Sequence, residues 1–522
     1  MLRAISNQTT MLTRSLRCQA RAISTAKLPT TPSPPFPDEY PHALMRTASP
    51  GPRSIALSKE LATMQHTAAV HFFVDYKASR GNYIVDVDGN RYLDVFCQIA
   101  SLPIGYNHPA LAAAMTDPDN LAMLTQRPCL GNLPPLEWHG LLQSTLGTIQ
   151  PRGCSDYVTL MCGSCANENA FKAAFIWYMT KLRGRMTDSS SFLATVVLDG
   201  YDAGGRPPSE HDMQSSMANM SPGSPALSIL SFQGGFHGRL LGCLSATHSK
   251  PIHKVDIPAF DWPVAPFPRR RYPLDAHQRA NDDDEARCLS IVEDILTAHN
   301  KATTESTQIA GIIVEPIQAE GGDNYASPAF FRALRQLASD YGAAFIVDEV
   351  QTGGGSTGKF WAHDHWDLVD PPDLVTFSKK LQTGGYFAKP EFRPAEGYRI
   401  FNTWMGDPLK MIQLQAFLNT MRQDKLLATV EISGRVLLNG LQRLTEAYPG
   451  QLSNARGIGT YAAVDFATTA ARDAMITKLR QRGLECGGCG DLALRFRPAL
   501  IYQPKHAAEC LEILDDACAS SK

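Results

Sequence analysis

The run Ala343-Ala344-Phe345-Ile346-Val347-Asp348-Glu349-Val350-Gln351 decides the fold. Its uninterrupted apolar stretch predicts a strand buried on both faces, which is the signature of a parallel sheet covered by helices. It ends in a carboxylate, at the strand end where ligands of α/β proteins bind. A carboxylate buried there is costly unless a cation meets it. Further on, Leu374 to Phe377 predicts a second short strand, running into Ser378-Lys379-Lys380. A lysine at such a strand end can form a Schiff base and shuttle protons. Taken alone, a Lys-Lys pair reads as solvated surface charge.

Outward from this pair of strands the same rhythm continues. Asp156 to Met161, Ala226 to Phe232 and Ile309 to Glu315 are strand candidates; Asn167 to Leu182 and Pro328 to Tyr341 have helical spacing. Strands alternating with helices predict an α/β domain with a mainly parallel sheet. Tyr83 to Phe96 alternates apolar residues around a Gly-Asn turn and predicts a hairpin. Residues 184–224 break the rhythm with Ser, Gly, Met and Pro around one apolar run, Phe192 to Leu198, and predict an insertion. Beyond Asn402, long helical patterns precede Gly457 to Phe466 and Gly487 to Pro498, predicting a smaller α+β domain.

The 522 residues are too many for one core, and 44% hydrophobic with 19% charged residues is globular composition. A net charge of −2 gives no footprint for nucleic acid, and no apolar run is long enough for a membrane span. Twelve cysteines without regular spacing argue for a reducing compartment. No acidic residue precedes Asp38, whereas Arg3, Arg14, Arg17, Arg21 and Lys27 stand among Ser and Thr. That composition predicts a mitochondrial leader over about residues 1–27 and a matrix location. The other reading is a basic tail.

Two glycine-bearing stretches follow strands. Cys162-Gly163-Ser164 precedes a helix, so it is either a plain N-cap or an anion site built from free helix N–H groups. Gly353-Gly354-Gly355-Ser356-Thr357-Gly358-Lys359 fits most of a P-loop, but Phe360 stands where Ser or Thr should hold magnesium. Two C-x-x-C pairs are present, Cys162/Cys165 and Cys486/Cys489.

Longer motifs carry a resemblance. Met161 to Ala170, Phe236-His237-Gly238-Arg239, His253 to Pro263, Ile312 to Gly322, Val347 to Gly355, Phe377 to Lys380 and Phe401 to Trp404 together resemble the class III pyridoxal-phosphate aminotransferases. The likeness runs from about Pro41 to the C-terminus. It implies the fold-type-I architecture: a large domain over about 106–402, and a smaller one from residues 28–105 and 403–522. Lys379 would bind pyridoxal 5′-phosphate as a Schiff base and carry protons. Asp348 would pair the ring nitrogen, Gln351 the ring oxygen, and Phe236 would stack on the ring. Gly163 and Ser164 would hold the phosphate, with Thr403 reaching it from the neighbouring subunit of a homodimer.

The resemblance implies further that Arg239 binds the carboxylate of 4-aminobutyrate and that Ile99 is a substrate-binding residue. Arg495 would take the α-carboxylate of 2-oxoglutarate, released by Glu320 for that half of the reaction. Cys162 and Cys165 match positions that bind half of a [2Fe–2S] cluster shared between subunits; the bland alternative is two small buried residues. Cys486 and Cys489 are read as structural. Phe96 stands where a tyrosine is expected. A related ω-aminotransferase using β-alanine or ornithine is the nearest rival, and an iron–sulfur protein keeping only the fold is the rival of another class.

Overall fold

A computed structural model describes residues 28–126, 128–185, 205–301 and 307–520. The proposed leader and the run Phe192 to Leu198 lie outside the described residues. In chain order the strands are β1 (Tyr83–Val85), β2 (Arg91–Asp94), β3 (Asp156–Leu160), β4 (Leu227–Phe232), β5 (Val264–Ala265), β6 (Gln308–Val314) and β7 (Ala344–Asp348). They continue with β8 (Leu374–Phe377), β9 (Gly384–Ala388), β10 (Leu452–Ile458), β11 (Tyr461–Phe466), β12 (Leu484–Glu485), β13 (Gly487–Cys489) and β14 (Ala493–Phe496). Two compact units share them: one of Asp119–Gly353 and Trp361–Gln415, the other of Met1–Pro118, Gly354–Phe360 and Ala416–Lys522.

The first unit is built on a seven-stranded sheet of order β3-β9-β8-β7-β6-β4-β5. Strands β5, β4, β6, β7 and β8 run parallel, and β9 is antiparallel to both its neighbours. Every residue of β7 and β8 is buried, as expected for strands covered on both faces. Helix α1 (Gly163–Arg185) starts four residues before the expected Asn167, so Gly163 and Ser164 lie in its first turn. Ala170, Phe171, Ala173 and Ala174 of α1 enter the core beside Ile229, Ile313 and Ile346. Helix α2 (Pro328–Asp340) begins where Ser327 accepts a bond from the Phe330 N–H, with proline at its first position.

Strands β9 and β5 were not expected from the sequence, and each has a physical reason. Strand β9 opens with Gly384-Gly385, residues of low strand propensity. Both are demanded by close approach: a Cβ on Gly384 would lie 2.6 Å from the Cys162 carbonyl oxygen, and one on Gly385 2.2 Å from that of Val158. Strand β5 is two residues at the sheet edge between Pro263 and Pro266, where proline is tolerated. Of the expected insertion, Ser209 caps the helix Glu210–Met217, and the Arg206 N–H donates to the Thr180 carbonyl of α1.

The second unit holds a three-stranded sheet, β1-β2-β12, and an antiparallel four-stranded one, β10-β11-β14-β13. Helices α3 (Leu426–Ala447) and α4 (Pro504–Ala519) pack on it through Leu437, Leu441, Leu444, Leu511 and Leu514. Its glycine-rich segment, the P-loop decoy, serves packing. Gly355 faces Leu427 of α3, where a Cβ would come to 2.7 Å, and Gly459 lies against the Ser356 carbonyl. Cys486 and Cys489 fall in separate apolar clusters, both buried.

Between β2 and Tyr106 the chain makes a left-handed turn. Cys97, Gln98, Ile99 and Ala100 have φ of 46, 54, 59 and 63°, a conformation that costs non-glycine residues roughly 1–2 kcal/mol each. Buried Asp94 over-determines it: one oxygen accepts the Phe96 and Cys97 N–H groups, each at 2.8 Å, and the other the Tyr106 hydroxyl at 2.6 Å. Gln98 also donates to the Tyr106 oxygen at 3.0 Å, and the Ala100 N–H to the Phe96 carbonyl at 2.9 Å. Asparagine tolerates this region better than a β-branched residue. Ile99→Asn is therefore expected to raise the unfolding free energy by up to about 1 kcal/mol in urea titrations.

Glu39 ties the N-terminal segment to α4. Its carboxylate accepts from the Asn82 N–H at 3.0 Å, from Lys505 at 2.9 Å and from His506 at 3.0 Å. Burial alone would raise its pKa, but the hydrogen bond and charge of His506, with Lys505 and Asn82, bring it down from 4.5 to about 2. The stabilisation is thus complete above the unfolded value and is lost as pH falls through the folded one. The stability difference between wild type and Glu39→Gln should shrink as pH is lowered from 4.5 to about 2.

Candidate active site

The centre of the site is Asp348, the last residue of β7 and buried. One carboxylate oxygen accepts from Asn167 of α1 at 2.8 Å and meets His237 Nδ1 at 2.8 Å. The other accepts the Val350 N–H at 3.0 Å and lies 3.4 Å from the Thr376 hydroxyl. Asn167 also donates to the His237 carbonyl at 2.8 Å. Three elements of the first unit therefore aim one carboxylate. Sequence reasoning gave no role to Asn167 or His237, because nothing in either residue type says which distant carboxylate it will meet.

Register brings the lysine alongside. In the parallel β7–β8 pair Asp348 lies opposite Thr376, so Lys379, three residues on and with φ of 51°, leaves the sheet at the same end as Asp348. The surface-charge reading of the Lys-Lys pair is overturned: Lys380 is fully buried and Lys379 partly so. Gln351 is buried three residues beyond Asp348.

Gly163 and Ser164 form a cradle at the start of α1. A Cβ on Gly163 would meet Val350 at 2.6 Å, and one on Gly238 would meet the Ser164 hydroxyl at 2.4 Å. Only glycine fits either place. The first-turn N–H groups of a 23-residue helix point outward here, which suits a phosphate. Phe236 stands on the preceding loop, with the Arg239 guanidinium 5.0 Å from its ring centre and His253 edge-on at 5.7 Å. Arg239 is exposed and meets His253 Nε2 at 3.3 Å. Burial first, then the charges of Arg239 and Lys250, lower the His253 pKa against the opposing pull of Glu320. Arg239, His253 and Glu320 thus share one electrostatic neighbourhood. A buried carboxylate for a ring nitrogen, a lysine beside it, a flat ring and a glycine cradle for a phosphate are the donor set that pyridoxal phosphate needs. Asn167 adds a buried side-chain oxygen with no hydrogen-bond partner among the described residues.

A profile of the family described as "Aminotransferase class-III" matches residues 64–518. The chain is a class III aminotransferase. It is 51% identical over 93% of its length to the mitochondrial 4-aminobutyrate aminotransferase of Mus musculus, covering 92% of that protein. To the 4-aminobutyrate aminotransferase of Dictyostelium discoideum it is 48% identical, with 95% of each chain covered. Among solved structures, lysine aminotransferase from M. tuberculosis superposes with a TM-score of 0.73 at 28% identity, covering 90% of this chain and all of that one. As a class III enzyme it is a pyridoxal-phosphate-dependent transferase of the fold the sheet order displays.

The remaining expected residues of this aminotransferase have the following surroundings within their own units. Thr403 is exposed, next to Asn402, whose side chain faces Asn169 at 3.4 Å. In the second unit Ile99 is 51% exposed on the left-handed turn. Arg495, in β14, is only 6% exposed, so it is no strand-end surface charge. It pairs with Ala463 and Gly487, and Gly487 lies against the ring of Phe96. Cys162 is exposed and Cys165 half-buried, with sulfurs 3.6 Å apart. Burial, then Cys162, pushes the Cys165 thiol up to about 11.

Removing a hydrogen bond to a charged group costs about 1.5–3 kcal/mol. Asn167→Ala is therefore expected to weaken pyridoxal phosphate binding roughly ten- to a hundredfold by equilibrium dialysis of the apoenzyme.

Proposed function

We propose that this aminotransferase moves the amine of 4-aminobutyrate to 2-oxoglutarate, giving succinate semialdehyde and glutamate. The observation that carries the reading is the set Lys379, Asp348, Phe236 and Arg239 in a chain 45–51% identical to relatives named for that amine. Bound pyridoxal phosphate supplies an electron sink for the carbon that loses its proton. Asp348, held by Asn167 and His237, would pair with the ring nitrogen. Lys379 Nζ would take a proton from the amine-bearing carbon and pass it on within the first half-reaction, and in the second it would deliver one to the oxo-acid carbon that receives the amine. The fork of Arg239 suits the distant carboxylate of an ω-amino acid. The family resemblance gives Arg495 the second carboxylate of the oxo acid. Gln351 would meet the ring oxygen, and Gly163 with Ser164 would hold the phosphate.

A homodimer fits this reading, with Thr403 serving the neighbouring subunit's phosphate. Leu240, Leu241, Ile252, Val255 and Phe260 are exposed large apolar residues on neighbouring segments, joined where the Phe260 N–H meets the Ser245 hydroxyl at 2.9 Å. Such a patch suits a protein interface. We propose a mitochondrial matrix location; the composition of residues 1–27 supports it, and the relatives' names support the mitochondrion. Among the described residues no three ligating side chains gather; two cysteines of one chain are half of a Cys₄ set. Their 3.6 Å spacing is close to the roughly 3.8 Å of two thiolates on one tetrahedral metal with bonds of about 2.3 Å. We propose a [2Fe–2S] cluster shared by Cys162 and Cys165 of two copies, so Cys162→Ser should lower the iron content of the purified protein.

Mixing holoenzyme with 4-aminobutyrate, without oxo acid, tests the substrate. The visible absorption of the lysine-bound cofactor should be lost, and 2-oxoglutarate should restore it. Lys379→Ala should do neither. Discharge by β-alanine or ornithine but not by 4-aminobutyrate would overturn the named substrate and leave the family intact.

A further inference from the structure

We propose that Glu315 is a positioning residue that sets Phe236 and Arg239 against the cofactor by clamping the loop that carries them to the loop that carries Glu320. The inference rests on the reading that Phe236 stacks on the cofactor ring and that Arg239 binds the amine's carboxylate. Strands β4 and β6 are parallel neighbours, so their C-terminal ends open side by side. From the first leads Gln233 to Arg239, and from the second Glu315 to Gly322.

Three links join these loops. Glu315, the first residue beyond β6, accepts the Phe236 N–H at 2.9 Å with one oxygen and the Ala319 N–H of its own loop at 3.1 Å with the other. Gln318 donates to the Gln233 carbonyl at 3.0 Å, and its own oxygen is fixed by Asn324 at 3.0 Å. Gly321 lies so close to Gly234 that a Cβ would come within 2.3 Å of its carbonyl oxygen. On the far side the Thr247 hydroxyl accepts the His237 N–H and donates to the Gly238 carbonyl, each at 2.9 Å. Phe236 to Gly238 is thus held from both flanks, and Glu315 is the only one of these side chains that grips the Phe236 backbone itself.

The chemistry requires a carboxylate at 315. Both of its oxygens accept, whereas an amide has one acceptor and would turn an NH₂ toward a backbone N–H. Placing it there is unfavourable: burial, and then the neighbouring charge of Asp348, push the Glu315 carboxyl well up. The Phe236 and Ala319 N–H groups pull the other way and hold both oxygens. What the carboxylate does is fix the height of an aromatic ring and, through the Arg239–Phe236 contact, the direction of a guanidinium.

The test compares wild type with Glu315→Gln, Glu315→Ala and Gln318→Ala. In the apoprotein, hydrogen exchange of the Phe236 amide should quicken in both Glu315 variants. In the holoenzyme the visible circular dichroism of the bound cofactor should fall, and KM for 4-aminobutyrate should rise about tenfold, the equivalent of one hydrogen bond. The fall in kcat should be smaller. Glu315→Gln should lie between wild type and Glu315→Ala. Variants that lose thermal stability while keeping wild-type dichroism and KM would overturn the proposal. If Glu315→Ala does not fold, Gln318→Ala decides, with the same changes in smaller degree expected and unchanged values overturning it. Should wild type bind cofactor yet ignore 4-aminobutyrate, the substrate reading falls, while exchange and dichroism still test the clamp.

Discussion

The burial of one carboxylate, Asp348, organises the rest of this enzyme. At the end of a strand whose five residues are all buried, it is shielded from solvent on both sheet faces. An acid so placed must find donors, and it draws them from α1, from the loop after β4 and from β8. Satisfying it therefore sets the spacing of the three elements that carry the cofactor groups. The glycine cradle at Gly163 and Gly238 follows, since α1 and the β4 loop can converge on β7 only where no Cβ intervenes.

Much of this was legible in the sequence, and the limits have causes. The apolar run ending in Asp348 and the short strand before Lys379 were readable because two-faced burial leaves an unbroken hydrophobic text. Strand β9 was not, because the approach of Cys162 and Val158 forces glycines where strand formers would announce it. Strand β5 was hidden by flanking prolines. Asn167 and His237 sat in the family motifs, but pairing across 181 and 111 residues is a property of the fold. The left-handed turn carries no glycine or asparagine to signal it.

Resemblance and geometry supply different parts of the account. The motifs named roles for Arg495 and Lys379; the structure adds that neither behaves as an exposed charge. Arg495 lies within β14, beside a glycine that makes room for Phe96. Conversely, the glycine-rich stretch after β7, which resembles a nucleotide loop on paper, is spent on packing against α3.

The turn at Cys97–Ala100 bears on how this protein can drift. At most positions near a binding site, a residue kept for function and a residue kept for folding are hard to tell apart, because both losses reach the cell as less active protein. Position 99 separates them. Its backbone is left-handed, a region that β-branched residues avoid, and its side chain is half in solvent. Folding alone gives no reason for isoleucine there. Whatever retains that side chain acts through what it touches, which makes the position a gauge of selection on chemistry undisturbed by selection on stability.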